Sequence, residues 1–94
     1  MVMQAAATQF SLTAHPGVIT KGCETVLINQ LPAARAGDAH TCLLPPLAGP
    51  HPPNTIAQGS ESVLIGGLPA ARVKDLTGCG AAIVTGSIDV VIGG

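Results

Sequence analysis

Aromatic and basic residues are the scarcest features of this sequence. Phe10 is the only aromatic residue, and the 94 residues include no Trp or Tyr. The four Lys and Arg residues are scattered and stand against five acidic residues, which gives a net charge of -1. Binding to nucleic acid needs a basic surface that neutralises several phosphates, so it is not expected here. A core of Ala, Val, Leu and Ile alone must be thin, since a chain of this length buries only about two thirds of its unfolded surface.

The N-terminal segment MVMQAAATQF lacks a basic start and a long apolar run. We therefore expect neither a signal peptide nor a membrane span, and we predict that the chain is made and first kept in the cytoplasm. Three cysteines are an odd number. In a chain without a signal peptide, this favours a metal site or buried thiols over a disulfide framework.

Glycine and proline, in contrast, are frequent and are spread along the sequence. Twelve Gly and eight Pro leave little room for helices of ordinary length, so short strands joined by tight turns are expected. The sequence therefore predicts an all-β protein.

A repeat organises the chain. QLPAARAGDAHTC at 30–42 returns as GLPAARVKDLTGC at 67–79, and a third copy starts at Gly80 and stops early. The segment AAAT near the N-terminus is a degraded copy, with Thr8 at the Arg position and Ser11 at the Asp position. We predict a single domain over 1–94, divided into a degenerate start (1–14), two repeats (15–50 and 51–79) and a partial repeat (80–94).

Each copy contains a β-branched or leucine triplet: VLI at 26–28, VLI at 63–65 and VVI at 90–92. Alternation in a strand predicts that Val26 and Ile28 point inward while Leu27 points the other way. The glycines four residues before each triplet, Gly22, Gly59 and Gly86, are expected to supply positive φ angles for turns. Such hairpin units cannot bury a face alone, so three of them are predicted to close around an axis with pseudo-threefold symmetry.

The histidines and cysteines lie at the junctions between copies. His15, Cys42 and Cys79 each follow Thr8, Arg35 or Arg72 by seven residues, and His51 follows an insertion, LLPPLAGP, in the middle junction. If the junctions converge, His15, His51 and Cys79 approach one another. Imidazole and thiolate are ligands of tetrahedral zinc, so a structural zinc ion is predicted. Either His40 or Cys42 is the fourth ligand, and symmetry favours Cys42.

The remaining polar residues give weaker signals. Arg35 with Asp38, and Arg72 with Asp75, are equally consistent with ion pairs and with simple surface charge. Cys23 aligns with Ser60 and Ser87 and is interpreted as a small turn or core residue. No nucleophile with an orienting partner, carboxylate pair or phosphate loop is visible, so the protein is not expected to be an enzyme. A zinc hydrolase would need an acid near the junctions, and a nucleic-acid module would need a basic face.

The motifs LPAARAGDAHTC and LPAARVKD, with segments of the form GxxxVxIG, carry a specific resemblance. The chain resembles the PAAR-repeat proteins from about Ala5 to Gly94, and it departs from them in the degraded AAAT copy and in Lys74, where the first copy has Gly37. That resemblance implies a small all-β cone with pseudo-threefold symmetry that sits on the tip of the trimeric spike protein VgrG of type VI secretion systems. It implies an apical Zn²⁺, one per chain, held by three histidines and one cysteine, which are His15, His40, His51 and Cys79 in this sequence, with Cys42 as a neighbour or substitute.

The implied function is mechanical. The tip caps and sharpens the spike, one monomer per trimer, touches the target membrane only transiently, and leaves the cytoplasm with the spike for delivery into the target cell. Alternatives are an adaptor that docks effector proteins onto the spike and the equivalent tip of a contractile phage tail or phage-like particle.

Overall fold

The computed structural model describes residues 3–14, 17–42, 54–87 and 89–93. Within these ranges the chain forms short strands and no helix, which confirms the predicted all-β class. No helix in the described part of the chain is therefore long and apolar enough to cross a membrane. The strands are β1 (Gln4–Ala5), β2 (Leu12–Thr13), β3 (Gly17–Ile19), β4 (Cys23–Ile28), β5 (Leu31–Ala33), β6 (Ala39–Cys42), β7 (Asn54–Thr55), β8 (Leu64–Ile65), β9 (Leu68–Pro69) and β10 (Val91–Ile92).

All strand pairs are antiparallel, and they form four sheets. One sheet has four strands in the order β2-β3-β6-β7, and two hairpins are formed by β4 with β5 and by β8 with β9. Both central residues of each hairpin turn have positive φ: 52° and 69° at Asn29 and Gln30, 58° and 84° at Gly66 and Gly67. Paired positive φ values at a two-residue turn match the right-handed twist of the flanking strands, which explains the choice of Asn and Gly there.

The fourth sheet joins the two ends of the described chain. β1 pairs with β10, with Gln4 opposite Ile92 and Ala5 opposite Val91. The strand of the third copy thus finds its hairpin partner at the beginning of the sequence. Division of the chain at His15, His51 and Gly80 stays a prediction, because His15 and His51 lie outside the described residues.

A closed ring of backbone hydrogen bonds relates the three units. Ala7 N donates to Ala71 O, Ala71 N to Ala34 O and Ala34 N to Ala7 O, each over 3.0 Å. Alanine is the residue type that lets three backbones approach this closely around one axis. The pseudo-threefold arrangement is therefore carried by the main chain itself.

Two buried clusters lie along this axis, and both repeat the threefold pattern. The first contains Ala6, Cys23, Ile28, Ala33, Ile65, Ala70 and Ile92. The second contains Ala7, Ile19, Ala34, Ile56, Ala71 and Ile83, with Val73 packed against it. Isoleucine fills the space that alanine leaves, so the thin core is built without any aromatic side chain.

The glycines before the triplets are needed for a reason other than the expected one. None of Gly22, Gly59 and Gly86 has a positive φ. A Cβ at Gly22 would lie 2.6 Å from Pro32 O, and a Cβ at Gly86 would lie 2.8 Å from Ala6 O. These positions therefore require glycine because a neighbouring backbone passes against them.

The triplets expose more apolar surface than strict alternation predicts. Ile28, Ile65 and Ile92 are buried, as expected, and Leu27 is exposed. Val26, in contrast, is not turned inward: it is 37% exposed, and its equivalents Val63 and Val90 are exposed to the same degree. We call the resulting exposed set the hydrophobic face; it consists of Val26, Leu27, Val63, Leu64, Val90 and Val91.

Each copy also contains a four-residue turn at its Arg position, here called a corner. In two corners the backbone N–H and the guanidinium of Arg35 or Arg72 donate to the carboxylate three residues later, with a closest side-chain distance of 2.9 Å in each. These are ion pairs, so the alternative of simple surface charge is wrong. In the third corner Thr8 N donates to Ser11 Oγ over 3.0 Å, which preserves the backbone part of the same motif.

Candidate metal centre

The described residues contain one group of side chains with the composition of a metal site. His40, Cys42 and Cys79 each offer a donor atom, and these three atoms lie within 4.8 Å of one another. His40 and Cys42 are on β6, two residues apart, so the alternation of the strand places both on the same side. Cys79 comes from the junction after the next copy. The repeat therefore brings together residues that are far apart in sequence.

His40 is fully buried, and strand pairing explains its position. It lies opposite Ile19 of β3 and opposite Asn54 of β7, so its ring is enclosed by both neighbouring strands. A Cβ at Gly17 would lie 2.5 Å from Nε2 of His40. Gly17 is thus the residue that makes room for the imidazole.

Both ring nitrogens of His40 have partners. Nδ1 is 3.1 Å from Asn54 Oδ1, and Nε2 is 2.7 Å from Thr13 Oγ1. Because an amide oxygen only accepts, the tautomer with the proton on Nδ1 satisfies both contacts, with the Thr13 hydroxyl donating to Nε2. Asn54 thus fixes the ring as an outer partner of a metal-binding histidine would, but Nε2 could bind a metal ion only by giving up its contact with Thr13.

The two thiols face each other. The sulfur atoms of Cys42 and Cys79 are 3.3 Å apart, well beyond a disulfide bond of about 2.05 Å. Burial raises the pKa of the Cys42 thiol, and the adjacent sulfur of Cys79 raises it further, while a hydrogen bond from Asn54 acts in the opposite direction. Two thiolates on one tetrahedral zinc lie about 3.8 Å apart. The observed sulfur–sulfur distance is shorter than this, so the two thiols would have to separate slightly to share a metal ion.

Strand alternation arranges the axial residues at this end in layers. Ile19 pairs with His40, Ile83 with Thr13 and Ile56 with Thr77, so the three isoleucines of the second cluster are followed by a layer of Thr13, His40 and Thr77. All three of these polar residues are buried. Two residues further on, the sequence has His15, Cys42 and Cys79. Cys42 and Cys79 are thus equivalent by position, as the count from the Arg position predicts.

The predicted ligands are placed only in part. Of His15, His40, His51 and Cys79, the structure brings His40 and Cys79 together; His15 and His51 lie outside the described residues. Cys42 completes the observed group. The sequence interpretation did not identify Thr13 or Asn54. Thr13 lies at the His40 position of its own unit and could have been found by that count, whereas nothing in the sequence marks Asn54.

The chemistry of the group fits a soft or borderline metal ion. Two thiols and an imidazole are donors that zinc prefers, whereas magnesium and calcium select oxygen ligands. The carboxylates of Asp38 and Asp75 are engaged with Arg35 and Arg72 at the corners. The group could therefore hold a metal ion, and its donor set favours a structural role over a hydrolytic one.

A family model supplies the decisive comparison. The model described as the PAAR motif matches residues 11–85, which is most of the chain. The protein belongs to the PAAR family. This match indicates a spike-tip-like protein, and it confirms the resemblance carried by the two LPAAR motifs. A search of curated proteins gave no significant match.

Membership of the PAAR family and the observed geometry agree on one point. The match includes both corners with an Arg and an Asp, the His40 strand and the Cys79 junction. The group of His40, Cys42 and Cys79, which could hold a metal ion, therefore lies within the matched residues.

Proposed function

We propose that this PAAR protein caps the blunt end of a trimeric spike protein, of the VgrG kind, in a type VI secretion system. The supporting observation is the hydrophobic face. Leu27, Leu64 and Val91 occupy equivalent positions in the three units and are 60%, 62% and 51% exposed. Contiguous exposed apolar side chains of this kind mark protein interaction surfaces. A threefold spike end presents three copies of one surface, and a single chain with three similar units can meet all of them at once.

Zinc is the proposed ion at the opposite end of the axis. When bound, it would link the separate junctions, and its binding free energy would then stabilise the folded state. His15, His40, His51 and Cys79 stay the predicted ligands, and Cys42 competes with His40 for the fourth position. Cys42 is favoured by its equivalence to Cys79 and by the 3.3 Å contact between their sulfur atoms. His40 is favoured by the ligand count of the family.

The proposed mechanism is mechanical and involves no catalysis. The tip assembles on the spike in the cytoplasm and is delivered with it, and its narrow end applies the force of sheath contraction to a small area of the target membrane. A closed backbone ring and a metal-linked end both resist deformation under that load. The hydrophobic face stays covered by the spike throughout.

Binding to the spike tests this function. The protein is mixed with a purified VgrG trimer, and the complex is sized by light scattering during gel filtration, with one tip per trimer expected. Leu27→Asp and Leu64→Asp each place a charge in the hydrophobic face and should weaken binding at least ~100-fold, since a buried unpaired charge is strongly unfavourable. Val84→Asp is the matched control, because Val84 is also exposed but is not part of the hydrophobic face; its backbone contacts Leu12 instead. Equal loss in all three variants, or no complex with the wild type, would contradict the proposal.

Metal content tests the proposed zinc site separately. Elemental analysis of the purified protein should give one zinc per chain. Cys79→Ser should lose it, and Cys23→Ser should keep it, because Cys23 belongs to the other buried cluster. Of His40→Ala and Cys42→Ala, only the variant that lacks a true ligand should lose the ion. A folded wild-type protein without metal would overturn the zinc assignment and leave the spike-capping proposal standing.

A further inference from the structure

The three corners differ in what fills the space beside them. The guanidinium of Arg72 extends from its corner to the turn of the next unit, with Nη1 3.4 Å from Gly93 O. Arg35 does the same: its Nη1 would lie 2.9 Å from a Cβ at Gly66. Gly66 and Gly93 each follow the buried isoleucine of a triplet, so the two arginines occupy equivalent slots.

The third slot is open. Thr8 stands at the Arg position and pairs with Ala33, as Arg35 pairs with Ala70 and Arg72 with Ala6. Thr8 and Ser11 are too short to reach the next turn. A cavity of about 440 Å³ lies in the place of the missing side chain, and its wall includes Asn29, the residue equivalent to Gly66 and Gly93.

The lining of this cavity suits a planar cation. Among the described residues that line it, Asp89 is the only charged one, and none is Lys or Arg. Asn29 Nδ2 donates to Oδ2 of Asp89 over 2.8 Å, so the carboxylate is held in place while Oδ1 has no hydrogen-bond donor among the described residues. The equivalent residues of the other units are Thr25 and Ser62. This unit therefore has Ser11 in place of the corner Asp, but it has an acidic residue, Asp89, where the other units have none.

The only aromatic side chain of the protein stands at the same cavity. Phe10 is 61% exposed and lines it together with Leu31. A guanidinium can stack on an aromatic face while its edge donates to a carboxylate, whereas an ammonium lacks that planar geometry. The combination of Phe10 with Asp89 therefore selects arginine over lysine.

We propose that this cavity, bounded by Thr8, Phe10, Asn29 and Asp89, binds the guanidinium group of an arginine side chain of a partner protein. Asn29 directly follows Ile28 and Asp89 directly precedes Val90, so the cavity opens beside the hydrophobic face. Identifying the partner as the spike rests on the proposed function; the guanidinium site does not. With two slots filled internally and one open, only one of the three equivalent arginines of a threefold partner could enter a slot of this protein.

The test titrates the ¹⁵N-labelled protein with N-acetyl-arginine methylamide and follows backbone amide shifts. We expect saturable shifts at Thr8, Ser11, Asn29 and Asp89 with a millimolar dissociation constant. The citrulline analogue has the same shape without the charge and should give at least ~10-fold weaker binding. The lysine analogue should bind more weakly than arginine.

Two variants test the site itself. Thr8→Arg with Ser11→Asp rebuilds the internal pair and should abolish the shifts by filling the slot. Asp89→Asn, at an exposed residue, should weaken binding at least ~5-fold without loss of fold. Equal binding of arginine and citrulline, or unchanged binding in the double variant, would overturn the proposal. Spike binding that persists while arginine binding fails would refute only the guanidinium site; arginine binding without spike binding would refute only the spike assignment.

Discussion

In this PAAR protein the threefold pattern is kept by the residues on the axis and broken by those at the corners. On the axis the three units contribute the same residues: Ala7, Ala34 and Ala71 in one layer, and Ile19, Ile56 and Ile83 in the next. At the corners two units contribute Arg and Asp, whereas the third contributes Thr8 and Ser11. Side chains on the axis contact their own equivalents, so a change in one unit alters all three. A corner contacts only one neighbouring turn, and it can diverge alone.

This difference separates two parts of the PAAR motif. Every corner keeps a backbone N–H that donates to a side-chain oxygen three residues later, at 2.8 to 3.0 Å. Only two corners keep the guanidinium. The oxygen acceptor is therefore the part that the turn requires, and the arginine of the motif is an addition that fills a slot and can be omitted.

The largest expected effect is at the axis. Ile56→Ala removes a side chain that is 1% exposed and leaves a cavity between the equivalents of two other units. We expect the free energy of unfolding to fall by about 2 to 5 kcal/mol. Urea denaturation measures this, with Val84→Ala as the control at an exposed apolar residue, where a loss below about 0.5 kcal/mol is expected. Similar losses in both variants would show that the axis does not carry the stability.

A smaller effect distinguishes the corners from one another. Asp75→Ala removes the acceptor of the Arg72 backbone N–H and of the guanidinium Nε and Nη2, and about 2 to 3 kcal/mol should be lost. Ser11→Ala removes a single neutral acceptor, and about 1 kcal/mol should be lost. Denaturant unfolding of both variants gives the ratio. Equal losses would mean that the ion pair adds nothing beyond the backbone hydrogen bond.

A third prediction concerns the turn residue before each acceptor. Phe10, Gly37 and Lys74 are equivalent, and all have left-handed backbones with φ of 76°, 95° and 83°. A non-glycine residue there costs about 1 to 2 kcal/mol. Lys74→Gly should therefore raise the free energy of unfolding by about 1 kcal/mol, and thermal unfolding would detect it. Gly37→Ala is the reverse experiment: no atom lies near the added Cβ, so any loss is due to the backbone. A gain from Gly37→Ala would refute the explanation.

The smallest effect is expected at Cys23. Its equivalents Ser60 and Ser87 accept hydrogen bonds from two backbone N–H groups at 3.0 and 3.1 Å. The Thr25 hydroxyl and the same backbone donors lower the pKa of the Cys23 thiol. Cys23→Ser should change the free energy of unfolding by less than about 1 kcal/mol, because one acceptor replaces another. The Val side chain accepts no hydrogen bond, so Cys23→Val should be less stable than Cys23→Ser. Scanning calorimetry of both variants and the wild type measures this difference.

The fold was predictable from the sequence because repetition is a global signal. Once Ile28, Ile65 and Ile92 occupy equivalent positions, an axis that buries all three follows without knowledge of any single dihedral angle. Local details were less accessible. The exposure of Val26, which Val63 and Val90 share, departs from strict alternation, and the need for Gly22 depends on how closely Pro32 passes. Neither is set by the residues themselves.

The metal group was predictable to a similar extent. Counting from the Arg position identified Cys42 and Cys79 as equivalent, and the structure places their sulfur atoms 3.3 Å apart. The role of His40 was harder to assign, since the count places it one layer nearer to the isoleucines. Its partner Asn54 follows the insertion LLPPLAGP, where the two repeats lose their common spacing. The count therefore fails at the point where the fourth ligand has to be chosen.

The pairing of β1 with β10 has a consequence for the order of events during synthesis. Two units contain their own hairpin, β4 with β5 and β8 with β9, and each hairpin can form as soon as its residues leave the ribosome. Gln4 must wait for Ile92, its pairing partner, which is made long after it. The ring through Ala7 cannot close firmly until then. Contacts between such distant residues are slow to form, so completion of the third unit is expected to limit the rate of folding.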